Sequence, residues 1–147
     1  MHILIINGPN LNMLGISRDK DHYGDQTLDE INKMLQNYSK ELYGREVELK
    51  FLQSNCEGEL IDFIQTEREA HALIINPGAL AHYSYALCDA LRDFPGIKIE
   101  VHLSLISARE EFRRISVTKD VCDCLIAGKR GDGYKEALDR AVSLVRL

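Results

Sequence analysis

No run of Lys or Arg longer than a pair occurs in these 147 residues, and acidic residues outnumber basic ones to leave a net charge of −5. A surface of that sign gives little hold on a polyphosphate and argues against a nucleic-acid interface. No apolar stretch approaches a membrane span, and no charged N-terminal region leads into a long apolar one. The reading is therefore a cytoplasmic protein with no membrane partner. The four cysteines supply no framework. Cys56 and Cys88 stand alone, and a single residue separates Cys122 from Cys124 where a zinc knuckle has two; on a strand those last two share a face, and small buried thiols account for that pair better than a metal site. No repeat, linker or low-complexity segment divides the chain. Its length suits one domain, residues 1–147, that buries roughly two thirds of its unfolded surface.

Phosphate-binding signatures are missing as well. There is no Walker loop, no dinucleotide-type glycine triplet, and no Ser or Thr between Asn7 and Gly15. A receiver domain needs carboxylates after its first and third strands, where this chain has Asn7 and Asn76.

What is present alternates between two periodicities. The runs His2–Ile6, Val47–Leu52, Ala72–Ile75, Ile97–Val101 and Cys124–Ala127 read as strands. Between them, Thr27-Leu28-Asp29-Glu30 fits a capping box and opens a helix whose inward stripe is Leu28, Ile31, Met34, Leu35, Tyr38 and Leu42. Glu57–Glu69, His82–Phe94 and Gly133–Leu147 read as three further helices, the last with Tyr134, Ala137, Leu138, Ala141, Leu144 and Val145 inward. Strand–helix alternation with continuous apolar strands implies a parallel sheet covered on both faces. Five strands suit a flavodoxin-like, doubly wound α/β fold of order 2-1-3-4-5.

In such folds ligands bind beyond the carboxyl ends of the strands, and the polar residues of this chain gather there. The strand ends run into Asn7-Gly8-Pro9-Asn10, Asn76-Pro77-Gly78-Ala79, Glu100-Val101-His102-Leu103-Ser104 and Gly128-Lys129-Arg130-Gly131. Each Gly or Pro also serves as ordinary turn chemistry. Residues two apart on a strand share a face, which places Glu100 beside His102. Either they form a buried ion pair, or the carboxylate fixes the imidazole's tautomer for proton transfer. The segment Gly8–Gln26 is long for a connection and reads as a lid or binding loop. It carries Arg18 and, five residues later, Tyr23. A guanidinium held close to a phenol favours the phenolate. In Ala108-Arg109-Glu110-Glu111-Phe112-Arg113-Arg114, one arginine placed over the crevice would bind an anionic, oxygen-rich ligand. His2, His22 and His71 read as structural or solvent-facing.

Five segments in order resemble the type II 3-dehydroquinate dehydratases: NGPNLNMLG, QSNCEGELIDFI, INPGALAHYSYALCDAL, IEVHLSLISAREEFRR and GKRGDGYKEAL. The resemblance implies a flavodoxin-like fold, trimers grouped into dodecamers, and no cofactor or metal. It also implies anti elimination of water from 3-dehydroquinate through an enolate. Tyr23 would be the base and Arg18 its phenolate stabiliser. His102, oriented by Glu100, would be the acid, and Asn10 would hold the water or oxygen that stabilises the enolate. Asn76, His82, Arg113 and the backbone amides of Leu103 and Ser104 would bind substrate, and Asp89 would reach a neighbouring subunit's site. The chain departs from the common pattern by one extra residue before Arg18, and by Cys56, Ala81 and Cys88 where a histidine, a hydroxyl residue and an arginine are frequent.

Two rivals stand beside this reading: a flavodoxin-like module holding a flavin or nucleotide, and an inactive scaffold. A yellow protein, or a thermal shift with such ligands, would mark the first.

Overall fold

A computed structural model describes residues 1–147. Strand β1 (His2–Asn7) lies at the centre of its half of the sheet, between β2 (Glu48–Gln53) and β3 (Ala72–Asn76). Strands β4 (Ile97–His102) and β5 (Cys124–Ala127) extend the sheet beyond β3, giving five parallel strands in the order 2-1-3-4-5. That is the expected flavodoxin-like order.

Alternation along β1 splits its side chains between two cores. Ile3 and Ile5 pack with Ile74, Ile99 and Val101 on one face, while Leu4 and Ile6 pack with Leu73 and Ile75 on the other. All four of these β1 side chains are essentially inaccessible to solvent. Burying each aliphatic side chain of this size contributes about 1.5–3 kcal/mol.

The first face is covered by helices α2 (Leu28–Tyr43) and α5 (Asp132–Val145), the second by α3 (Glu57–Thr66) and α4 (Tyr85–Asp93). The Thr27 capping box forms in full: Thr27 Oγ1 accepts the Glu30 N–H at 3.2 Å, and the Glu30 carboxylate accepts the Thr27 N–H at 2.8 Å. Leu42, expected on the inward stripe, is 54% exposed. The last turn of α2 instead meets α5 through Tyr38 and Tyr43, whose hydroxyls donate to Asp139 at 2.7 and 2.6 Å.

Two other boundaries differ from the sequence reading. The helix expected from His82 begins at Tyr85, because Ser84 accepts the Leu87 N–H at 2.9 Å and caps it there. The residues before it, Gly78–His82, form a 3₁₀ turn. The long loop after β1 is also partly ordered into structure. It holds a 3₁₀ turn, Leu11–Met13, and a single helical turn α1 (Lys20–Tyr23), capped by Asp19 and closed by Gly24 at φ 83°.

Register aligns the strand ends that matter. Asn7 sits opposite Asn76, and Glu100 sits between Ile75 on one neighbour and Leu125 on the other.

Candidate active site

Glu100 and His102 do share a face of β4, the one opposite Ile99 and Val101. Glu100 is fully buried and His102 nearly so, at 5% exposure. The imidazole Nε2 lies 2.6 Å from Glu100 Oε1. Glu100 also accepts from the Ser116 hydroxyl at 2.8 Å on Oε1 and from the Thr118 hydroxyl at 2.6 Å on Oε2. A buried carboxylate left unpaired is costly; here every partner is a donor. The His102 proton is thereby placed on Nε2, leaving Nδ1 as the ring nitrogen not engaged by Glu100.

Beyond the strand end a narrow cavity opens, lined by Arg18, Tyr23, Asn76, His82, His102, Leu103, Ser104, Arg109 and Arg113 among others. Its free space is about 30 Å³, room for about one or two waters. Both α1 and the segment after Ser104 contribute to its wall.

Tyr23 comes to this cavity from α1 and is only 9% exposed. The Arg18 guanidinium lies over its ring face, 4.3 Å from the centroid. The phenol oxygen has a different partner: Arg109 Nη1 donates to it at 2.6 Å. The sequence reading named the run containing Arg109 but assigned only Arg113 from it. No local signal marks Arg109 within that run, because Arg109 and Arg113 lie on separate short turns. Arg18, Arg109 and Arg113 each carry a buried Nε without a hydrogen-bond partner. Glu110 lies 3.1 Å from Arg113 and 3.5 Å from Arg109 at the exposed edge. Three guanidinium groups against one rim carboxylate leave the cavity positive, which suits an anionic ligand.

His82 is set by its other side. Its Nδ1 lies 2.6 Å from the Ile115 carbonyl and so donates to it, leaving Nε2 free. Burial holds this imidazole below the ordinary histidine range, and the nearby His102 and Arg113 charges act the same way against the Ile115 carbonyl. His82 is therefore neutral at neutral pH and offers an acceptor. Asn76 is buried at the end of β3, its side-chain oxygen accepting the Gly78 N–H at 3.1 Å.

Two expected residues stand apart from this cavity. Asn10 is exposed with φ 67°, its N–H held by Asn55 Oδ1 at 2.9 Å, and it is not part of the cavity wall. Asp89 is exposed on α4 and pairs with Arg92 at 2.6 Å, on the same chain. Of the cysteines, Cys122 is removed from nucleophilic chemistry because burial pushes its thiol well up. No group of three or more His, Cys, Asp and Glu side chains is arranged to hold a metal ion.

Fold and cavity together define a doubly wound α/β protein whose strand ends hold a cavity lined by a phenol, two imidazoles and three guanidinium groups. The model of the class II dehydroquinase family matches residues 1–142. A 3-dehydroquinate dehydratase of Thermotoga neapolitana is 48% identical over 139 residues, covering 95% of this chain and 92% of that protein. One of Desulfitobacterium hafniense is 49% identical over 140 residues, covering 95% and 94%. The crystal structure of a type II dehydroquinase from Butyrivibrio crossotus superimposes with a TM-score of 0.91 at 46% identity, over 96% of this chain and 97% of that one. The chain belongs to the class II dehydroquinase family, and so to the hydro-lyases.

Proposed function

We propose that this protein converts 3-dehydroquinate to 3-dehydroshikimate and water by anti elimination, with Tyr23 as base and His102 as acid. The observation that carries the reading is that a phenol hydrogen-bonded to a guanidinium and an imidazole backed by a carboxylate line one cavity.

The Tyr23 oxygen, as phenolate, takes the C2 proton, and the electron pair left behind moves into the C3 carbonyl to give an enolate. The enolate re-forms the carbonyl as the C1–O bond breaks, and His102, entering the step as the imidazolium with its Nε2–H on Glu100, gives its Nδ1 proton to the departing oxygen as water and is left as the neutral Nε2–H ring. The Arg109 hydrogen bond holds the Tyr23 oxygen in place and the Arg18 guanidinium lies over its ring face, so two cations meet the charge the oxygen carries in the step. Donors aimed at a developing oxyanion are worth about 3 kcal/mol each. Asn10 fills that place through a water if the loop closes on substrate.

Arg113, the neutral His82, Asn76 and the Leu103 and Ser104 amides form the substrate-binding wall. Opening of α1 admits substrate, and its closure over the ring keeps water from the enolate. Assembly into trimers and a dodecamer would bring Asp89 to a neighbouring site. Tyr83, Tyr85, Phe112 and Ile115, all more than half exposed, supply apolar surface beside α4 for that contact.

Incubation of the purified protein with 3-dehydroquinate is the test. A rising enone absorbance is expected, and a folded, oligomeric sample that yields no enone contradicts the proposal.

A further inference from the structure

The acid dyad is clasped from behind by four consecutive residues, Ile115 to Thr118. Chain alternation sends Ser116 and Thr118 to one side, where both hydroxyls donate to Glu100 at 2.8 and 2.6 Å. The backbone of the other two residues faces the turn before α4. Ile115 C=O accepts from His82 Nδ1 at 2.6 Å, and the Val117 N–H donates to Ala81 C=O at 2.7 Å. Ser116 is 4% exposed and Thr118 is fully buried.

The two hydroxyl oxygens lie 3.2 Å apart, and each also reaches an oxygen of Glu100. Ser116 Oγ accepts the Lys119 N–H at 3.1 Å, and its own proton goes to Glu100. With the His102 N–H, three donors converge on one dry carboxyl group. That group can then act only as an acceptor. Remove one hydroxyl, and a lone pair of Glu100 is left bare in the interior. With that bond gone the ring can keep a single proton on Nδ1 while Nε2 accepts from a protonated Glu100, and that neutral ring is a far weaker acid than the imidazolium held by a carboxylate.

We infer that Ser116 and Thr118 are positioning residues for the His102 acid: they keep Glu100 an acceptor for Nε2–H, so that the ring carries a second proton on Nδ1 and gives that one to substrate. The same strap fixes the His82 tautomer, so one short segment orients both imidazoles of the cavity. The inference rests on His102 being the proton donor in the dehydration.

Four variants test it: Thr118→Val, which preserves shape, Thr118→Ser, which preserves the hydroxyl, Ser116→Ala, and His102→Ala as reference. With 3-dehydroquinate as substrate, Thr118→Val is expected to lower kcat by about 10–100-fold while KM changes by less than about threefold. Thr118→Ser is expected to restore most of that loss. Nitrogen-15 NMR of the His102 ring is expected to show Nε2 protonated in both the charged and the neutral ring of the unsubstituted protein, and a share of neutral ring with Nε2 bare in Thr118→Val. Full kcat together with an unchanged ring spectrum in Thr118→Val overturns the inference. If that variant does not fold, Ser116→Ala serves, and unchanged kcat and spectrum there overturn it equally. Turnover that survives His102→Ala removes the acid assignment, a separate failure from that of the strap.

Discussion

Arg109 and Tyr23 lie 86 residues apart in the chain, yet the guanidinium donates to the phenol oxygen at 2.6 Å. The link joins α1 to the segment after β4, so two elements far apart in the chain set the phenol oxygen of the proposed base. Arg109→Leu is expected to lower kcat by about 10–100-fold, with Arg109→Lys recovering part of it because a lysine donates singly and without the planar fork. Steady-state kinetics on the two variants checks this.

Tyr23→Phe keeps the ring in place beneath Arg18 and removes only the oxygen. Loss of a general base costs about 10²–10⁴-fold, and that is the expected fall in kcat. The melting temperature should shift by only a few degrees, since the phenol has one hydrogen-bond partner. A large loss of stability in this variant would mean that the residue is structural.

His82 gives the protein an acid-side sensitivity. Its folded pKa is depressed by burial, whereas the unfolded chain takes up the proton at the ordinary value near 6.5. Below that pH the unfolded state binds more protons, so stability present above it is lost as the pH falls. Urea midpoints measured from pH 7.5 down to 5.5 should decline, and His82→Asn should flatten that decline.

The alkaline side is set by the tyrosines on Asp139. Burial first, then the bond to Asp139, pushes Tyr43 up to about 12, and Asp139 raises Tyr38 in the same direction. The unfolded chain loses these protons near pH 10, so stability is intact below pH 10 and falls as the pH rises toward 12. Asp139→Asn should shallow that fall, as read by urea midpoints alongside phenolate absorbance.

Gly8 is fixed by a close approach rather than by its φ angle. A Cβ there would stand 2.4 Å from the Pro77 carbonyl oxygen, which is backbone and cannot swing aside. Gly8→Ala should cost about 1–3 kcal/mol or more, and, by shifting Pro77, should raise KM through its neighbour Asn76. Thermal unfolding and kinetics on one sample read both effects.

The parts of this site that lie on regular elements were legible in the sequence. Period two on β4 put Glu100 beside His102, and the strand ends placed Asn76 at the same edge. Long-range pairings were not legible. Nothing local distinguishes Arg109 from Arg113 or Arg114 in a charged run, because the choice depends on where α1 docks. Ser116 and Thr118 carry no local signal in the sequence, because their place on Glu100 is set by how the segment after β4 folds back. Leu42 kept perfect helical phase yet points to solvent, since phase gives the face of a helix but not where the sheet beneath it ends.

The account turns on a base and an acid placed on opposite faces of one ring. 3-Dehydroquinate carrying deuterium at a single C2 position measures this directly. The account expects the label to be lost only when it lies anti to the C1 hydroxyl, with the syn label kept in the product. Loss of the syn label, or loss of both alike, would contradict it.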